Sequence, residues 1–190
     1  RRVALKVLHA AAPTQSERDR FLREGRLAAA VSHPNSVFIF GVEQIGSTQA
    51  IVMELVGGGT LKEQIAANGP MQAAQACAVV MQLLDGLQAA HAAGVLHRDI
   101  KPSNCFIEDD GQVKLGDFGI SRPAQELGRT TTLTLGSFAG TPAYAPPEQL
   151  QGSEIDERAD IYSIGATFYH LLTGRAPFEQ RDMIQLLAAV

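Results

Sequence analysis

The segment between residues 97 and 119 carries polar side chains at both ends of a short predicted hairpin. The run HRDIKPSN (residues 97–104) precedes two strand-like runs, CFI (105–107) and VKL (113–115), and Asp117 follows the second. The Asp-Gly pair at 110–111 is a strong signal for a two-residue turn. Such a turn would place Asn104 opposite Asp117, with Cβ atoms about 5 Å apart on one face.

An amide oxygen and a carboxylate held that close suit a hard divalent cation. Mg²⁺ prefers oxygen ligands and tends to keep phosphate oxygens or water in its coordination shell. Asp99 precedes Asn104 by five residues and can reach the same space. The pattern therefore predicts a metal site at Asn104 and Asp117 for Mg²⁺, with Mn²⁺ as the alternative.

Strand and helix patterns alternate in the first third of the chain, and the remainder is mostly helical. Strand-like runs lie at residues 3–8, 37–43 and 49–55, and a helical pattern starts near Thr14 and stops before Pro34. After the glycines at 57–59, helical periodicity covers about residues 61–67, 73–93 and 158–173. These patterns predict an α+β fold, with a small strand-rich part hinged near the glycines to a larger helical part.

Composition narrows the functional class. Apolar residues make up 45% of the 190, enough for a sizeable core, and a net charge of −4 gives no support for nucleic-acid binding. No apolar run approaches the ~20 residues of a membrane span, so we expect no membrane contact by this segment. Cys77 and Cys105 lack metal-ligand spacing, and we expect both to be buried free thiols in a reducing, cytoplasmic compartment.

The polar motifs together resemble the signature of the eukaryotic-type serine/threonine protein kinases. The exact residues of HRDIKPSN and the alanine-rich composition resemble bacterial members in particular. Five fixed positions of HRDIKPSN would arise by chance in a chain of this length with a probability of about 10⁻⁴. The order of the other motifs agrees with the resemblance: VALK at 3–6, DFG at 117–119, GTPAY at 140–144 and DIYS at 160–163. The resemblance implies a two-lobed kinase fold, ATP with Mg²⁺ as cofactors, and phosphate transfer to Ser and Thr hydroxyls of proteins.

Carried over by position, the resemblance gives each polar residue a role. Asp99 would orient the substrate hydroxyl or accept its proton, and Lys101 would steady the transferred phosphoryl group. Asn104 and Asp117 would hold the metal. His97 is implied to be structural and to pack near Phe118 rather than to act as a base.

The nucleotide site implied by the resemblance begins with Lys6, which would contact the phosphates and pair with Glu24. Glu24 lies on the apolar stripe of its helix, where a carboxylate needs a cation, although a solvated position at the edge of the stripe is the alternative. The adenine pocket would be lined by Ala4, Met53, Phe106 and the backbone from Glu54 to Val56. Without the motif order, Met53 and Phe106 would be read as plain core residues.

Arg98 resembles the arginine of kinases whose activation loop is ordered by phosphorylation, because a guanidinium binds phosphate bidentately. An ordinary polar loop is the alternative, but we predict autophosphorylation beside Arg98, with dimerisation as a route to it. The hydroxyls assigned to this activation loop are Thr130, Thr131, Thr132, Thr134, Ser137 and Thr141.

The match to the family pattern is incomplete. The resemblance assigns residues 1–56 to the small lobe and linker and 57–190 to the large lobe, so we expect both lobes to be incomplete, without a Gly-rich phosphate loop or the final helices. Pro146 stands where the family usually has alanine, which restricts the backbone locally.

Two other functions remain open: a pseudokinase or truncated non-catalytic scaffold that signals by binding, and a small-molecule phosphotransferase of similar fold. Retention of Lys6, Asp99, Asn104 and Asp117 disfavours the first, and the long segment from Asp117 to Glu148 disfavours the second. The parent protein is expected to be anchored in the membrane by segments outside this sequence.

Overall fold

The computed structural model describes residues 2–7, 14–46, 48–118 and 142–178. A small lobe, comprising the described residues from 2 to 54, contains three strands and one helix. A large lobe, comprising those from 58 to 178, contains four helices and one hairpin. The predicted α+β fold with two lobes is confirmed.

The small lobe is an antiparallel sheet with one helix packed on it. Its elements are β1 (Val3–Val7), α1 (Gln15–Ala28), β2 (Ile39–Ile45) and β3 (Thr48–Glu54), and the strand order is β1-β3-β2. Phe21 of α1 and Ile51 of β3 are buried in one core. Helix and sheet approach so closely that a Cβ at Gly25 would lie 2.6 Å from Val42 Cγ2, so any larger residue there would have to displace that side chain.

The large lobe is built on two long helices. Its elements are α2 (Leu61–Asn68), α3 (Ala73–Ala92), β4 (Cys105–Ile107), β5 (Val113–Leu115), α4 (Pro147–Leu150) and α5 (Glu157–Thr173), with 3₁₀ turns at Pro102–Asn104 and Pro142–Tyr144. Thr60 and Glu63 cap α2 reciprocally in a capping box. The core between α3, α5 and the hairpin contains Leu83, Leu87, Leu115, Ile164 and Leu171.

Two of the three glycines at 57–59, Gly58 and Gly59, are attached to the large lobe, which refines the predicted hinge. Gly58 N donates to Ile107 O at 2.8 Å, and Ile107 N donates to Gly59 O at 2.9 Å. A Cβ at Gly58 would lie 2.5 Å from Ile107 O, so the close approach to β4 explains the glycine. The covalent link between the lobes is therefore residues 55–57.

The hairpin register differs by one residue from the prediction. Cys105 pairs with Leu115 and Ile107 with Val113, so Asn104 is opposite Gly116 and not Asp117. The predicted two-residue turn is wrong because Glu108 pairs with Gln112 around a three-residue loop that ends at Gly111, with φ 87°.

A second connection between the lobes runs through residues 35–37. Leu115 N donates to Asn35 O and Val37 N donates to Leu115 O, both at 2.9 Å. Asn35 Nδ2 also donates to Val113 O at 2.8 Å. This segment therefore pairs with β5 in parallel and is held by the large lobe, although it precedes β2 of the small lobe in sequence.

Candidate functional site

Lys6 and Asp117 form an ion pair between the two lobes. Lys6 lies on β1, where its Cα partner is the fully buried Ile51 of β3. Its Nζ atom donates to Asp117 Oδ1 at 3.0 Å, and both side chains are about one-third exposed. Asp117 has φ 57°, in the left-handed region that is uncommon outside glycine. The chain therefore bends sharply at the end of β5, where this carboxylate meets the lysine.

Asp99, Lys101 and Asn104 form a second polar cluster. Asp99 Oδ2 accepts from Lys101 Nζ at 2.8 Å and from Asn104 Nδ2 at 3.1 Å. Asn104 Nδ2 also donates to Asp99 O at 2.8 Å, and the 3₁₀ turn at Pro102–Asn104 closes this short loop. The Asp99 carboxylate is therefore held by two donors that lie close to it in sequence.

His97 joins the two clusters. Its ring is fully buried and packs against Phe118 with centroids 4.7 Å apart, as predicted. Asp99 N donates to Nδ1 at 3.3 Å, and Nε2 lies 3.0 Å from Gly116 O. Burial lowers the pKa of His97, against the opposing charges of Asp160, Asp99 and Asp117. The neutral imidazole therefore has its proton on Nε2 and connects the loop of Asp99 to the residue before Asp117.

The Asp160 carboxylate holds the start of the same loop. It is 1% exposed on α5. Its Oδ2 accepts from His97 N at 2.8 Å and lies 2.8 Å from His91 Nε2, and its Oδ1 accepts from Arg98 N at 2.7 Å. Arg98 has φ 66°, so this loop also contains a left-handed residue outside glycine. By accepting from two consecutive backbone N–H groups of this loop, the Asp160 carboxylate stabilises that strained backbone.

This arrangement places two carboxylates, an amide and two lysines at the junction of two lobes. The family model described as the protein kinase domain matches residues 1–189. The chain belongs to the protein kinase family.

Several named relatives of this kinase chain are bacterial. It is 43% identical to serine/threonine-protein kinase PknL of Mycobacterium bovis, over 94% of this chain and 44% of that protein. It is 40% identical to serine/threonine-protein kinase pkn2 of Myxococcus xanthus, over 94% and 22% respectively. It is 38% identical to serine/threonine-protein kinase PrkC of Bacillus subtilis, over 98% and 28%. The chain therefore spans less than half the length of these relatives. Within the described ranges of the kinase chain, no helix is both long and apolar enough to cross a bilayer.

The residues assigned to the adenine pocket of this kinase chain lie around the link between the lobes. Ala4 and Met53 are Cα partners on β1 and β3, and both are partly buried. Phe106 lies on β4, where its ring would be 2.8 Å from a Cβ at Gly116. Glu54 ends β3 and Val56 lies in the link. The pocket assignment remains a proposal.

Arg98 is the part of the predicted activation apparatus that the structure describes. Within the described ranges, its Nε atom is buried and has no hydrogen-bond partner. Gln149 Nε2 donates to Arg98 O at 3.0 Å, which ties this loop to α4. The loop hydroxyls predicted to be phosphorylated, Thr130, Thr131, Thr132, Thr134, Ser137 and Thr141, lie outside the described residues. The side chain of Glu24, predicted to pair with Lys6, also lies outside them.

Asp160 was not predicted as a site residue, although a signal for it exists in the sequence. It precedes Ile164 by four residues and Leu171 by eleven, which places it on the apolar stripe of α5. A carboxylate on such a stripe requires buried donors. Its position in the first helical turn favours the simpler reading of an exposed acid near the helix N-terminus.

The two cysteines occupy opposite environments, so the prediction that both are buried is wrong for Cys77. Cys77 is exposed on α3, whereas Cys105 is fully buried, and burial raises the pKa of the Cys105 thiol to about 12.

Because the thiolate is the reactive species, we expect iodoacetamide at pH 8 to modify Cys77 and leave Cys105 unmodified in the folded protein. Peptide mass spectrometry measures both, and unfolding in guanidinium should make Cys105 equally reactive. Fast modification of Cys105 in the folded protein would contradict the burial.

Proposed function

We propose that this chain is the catalytic part of an ATP-dependent protein kinase that transfers the γ-phosphate to Ser and Thr hydroxyls of proteins. The observation that carries the proposal is the connection of the Lys6–Asp117 pair to the Asp99 cluster through His97. Family membership gives ATP as the phosphate donor. The relatives are named serine/threonine kinases, which favours this substrate class.

The residues at the proposed metal site fit a magnesium ion. Asn104 uses its amide nitrogen to bind Asp99, which leaves its amide oxygen as the acceptor. Asp117 binds Lys6 through Oδ1 and has a second carboxylate oxygen. Among the described residues, no group of three or more His, Cys, Asp and Glu side chains could hold a metal. Two protein oxygens suit Mg²⁺, or Mn²⁺, whose other ligands are substrate phosphates and water. The bound metal would neutralise charge on those phosphates.

The charged side chains then have separate tasks in the proposed reaction. Lys6 binds nucleotide phosphates from the small lobe. Asp99, held by Lys101 and Asn104, orients the hydroxyl of the protein substrate and accepts its proton. Lys101 lies 2.8 Å from that carboxylate and stabilises negative charge on the transferred phosphoryl group. Positioning and electrostatics account for the rest of the catalysis, because phosphoryl transfer leaves little covalent chemistry to the protein.

We also propose that phosphorylation of the loop after Asp117 regulates the kinase. Among the residues that the structure describes, the buried Nε of Arg98 has no hydrogen-bond partner, and this supports the proposal because a phosphate oxygen would give it an acceptor. Autophosphorylation between two copies of the chain is the proposed source of the phosphate. We place this domain in the cytoplasm, where ATP is available, in a parent protein anchored to the membrane by segments outside residues 1–190.

Phosphate transfer by the full-length protein tests the main proposal. We expect radiolabelled γ-phosphate from MgATP to appear in casein as phosphoserine and phosphothreonine. EDTA should abolish the labelling because it removes the metal ion, and the substitution Asp117→Asn should abolish it because it removes a carboxylate of the proposed metal site. Phosphoamino-acid analysis and autoradiography measure the outcome.

The matched control is Asp110→Asn in the β4–β5 loop, an exposed carboxylate outside the proposed catalytic residues, which should leave labelling unchanged because asparagine can still accept from Gln112 N. Nucleotide binding without any transfer would support the pseudokinase instead. ATP consumption that labels only small molecules would support the small-molecule phosphotransferase.

A further inference from the structure

Lys114 is the centre of an ion-pair cluster outside the proposed catalytic residues. Its Nζ atom lies 2.7 Å from Glu54 Oε2 and 3.0 Å from Glu108 Oε1. The side chains of Lys114 and Glu54 are 11% and 15% exposed, so the pair is largely shielded from solvent. Shielded pairs of good geometry are screened less by salt than exposed ones. This pair therefore contributes more to stability than a typical surface salt bridge does.

The charge of Lys114 is secured by its neighbours. Burial alone would lower the pKa of Lys114, but hydrogen bonds with Glu54 and Glu108 outweigh it, and the pKa lies above its ordinary value. The side chain is therefore an ammonium at every pH at which the protein would be studied.

Glu54 connects three parts of the structure. Its Oε1 atom accepts from Phe38 N at 2.7 Å, and its own N–H donates to Phe38 O at 2.9 Å. Phe38 directly follows the segment 35–37 that is held by β5, and Glu54 is the last residue before the link between the lobes. Glu54 thus directly precedes one connection between the lobes and binds the residue that follows the other, and Lys114 holds its carboxylate from the large lobe.

Lys114 and Glu54 belong to different lobes, whereas Lys114 and Glu108 belong to the same one. A rotation of the small lobe would separate Lys114 from Glu54 but leave it paired with Glu108. During this movement Lys114 would lose Glu54 as a partner but keep Glu108. No buried ammonium would be left unpaired, so the free-energy cost of the movement would be low. The other ion pair between the lobes in the described residues, Lys6–Asp117, belongs to the proposed catalytic site.

We propose that the Lys114–Glu54 pair is a clasp that restricts rotation of the small lobe against the large lobe, and that Glu108 receives Lys114 when the clasp opens. The clasp goes beyond the proposed function and does not require phosphate transfer. It makes Lys114 a positioning residue, because the ion pair Lys6–Asp117 is formed only when the lobes are correctly oriented.

Distances between the lobes test the clasp directly. Spin labels are placed on Cys77 of α3 and on Gln44→Cys of β2, both exposed, in the full-length protein with any cysteines outside residues 1–190 changed to serine. Pulsed electron–electron double resonance gives the distribution of distances between the two spin labels. In the wild-type protein a minor population is expected to have label-to-label distances that differ from those of the clasped orientation. We expect Lys114→Met and Glu54→Gln to raise this population about fivefold, the ratio that corresponds to a loss of roughly 1 kcal/mol from the clasped orientation.

Glu108→Gln is the matched control, because it removes a carboxylate from the same ammonium within one lobe. It should leave the distribution unchanged or narrow it, since it removes the alternative partner. Unchanged distributions in both Lys114→Met and Glu54→Gln would overturn the clasp, as would equal broadening in Glu108→Gln. Phosphate transfer by the same samples is measured separately, so failure of the clasp and failure of the proposed kinase activity are distinguishable.

Discussion

Replacing Asp99 with asparagine should reduce the turnover number for phosphate transfer by about 10²- to 10⁴-fold, the usual contribution of a positioned general base. Asparagine keeps the size of the side chain and an oxygen that can accept from Lys101 and Asn104, so the loop should keep its shape. It cannot accept the proton of the substrate hydroxyl. We therefore expect the KM for ATP to remain within about twofold, because ground-state binding is preserved.

Steady-state kinetics of the full-length protein measure this outcome, and thermal unfolding verifies that the variant is folded. The matched control is Asp85→Asn, an exposed aspartate on α3, which should retain wild-type kinetics. Undiminished transfer by Asp99→Asn would refute the assignment of Asp99 as the base. A rise in the KM for ATP with an unchanged turnover number would instead indicate a role in nucleotide binding.

Replacing Asp160 with asparagine should lower the free energy of unfolding by about 3 kcal/mol, the low end for breaking a buried charged network. The carboxylate accepts from His97 N and Arg98 N and lies within hydrogen-bond distance of His91 Nε2. An amide provides one accepting oxygen and turns its NH₂ group towards a donor, so at least one buried N–H loses its partner. The melting temperature should fall by roughly 6–12 °C for a domain of this size.

The same substitution should also reduce transfer, because Asp160 holds the loop that carries Asp99. Asp156→Asn, at the N-cap of the same helix, is the control. Asp156 is exposed and caps α5 through Arg158 N, and asparagine is an equally good N-cap, so little stability should be lost. Calorimetry of both variants measures the difference. If the melting temperatures of Asp160→Asn and Asp156→Asn differed by less than about 2 °C, the predicted contribution of the buried Asp160 network to stability would be wrong.

The sequence predicts the elements of this fold well where local chemistry determines them. The runs at 105–107 and 113–115 are strands, and α3 and α5 end within a residue of the predicted positions. The hairpin register is a different matter, because Gly111 at positive φ fits a two-residue turn and a three-residue loop equally. Only pairing along the strands selects between them, and pairing depends on contacts with residues 35–37 and with α3.

The candidate site divides in the same way. Motif order identifies Lys6, Asp99, Lys101, Asn104 and Asp117, and the structure brings Lys6 to Asp117 and Asp99 to its two neighbours. Sequence spacing contains no information on Asp117 adopting a left-handed backbone, which redirects its side chain at the end of β5. Contacts between distant segments, such as Asp160 with Arg98 N, are likewise absent from local patterns.

His97 restricts the relative movement of two segments of the proposed catalytic site. The Asp99 loop and the end of β5 are separate segments whose thermal displacements would normally add. Here the imidazole ring of His97 is hydrogen-bonded to both segments, to Asp99 N through Nδ1 and to Gly116 O through Nε2. The separation of the two segments is then set by covalent ring geometry and two hydrogen bonds. We therefore expect the backbone at Asp99 and the residue before Asp117 to move together, which would limit changes in the separation of the two proposed catalytic segments.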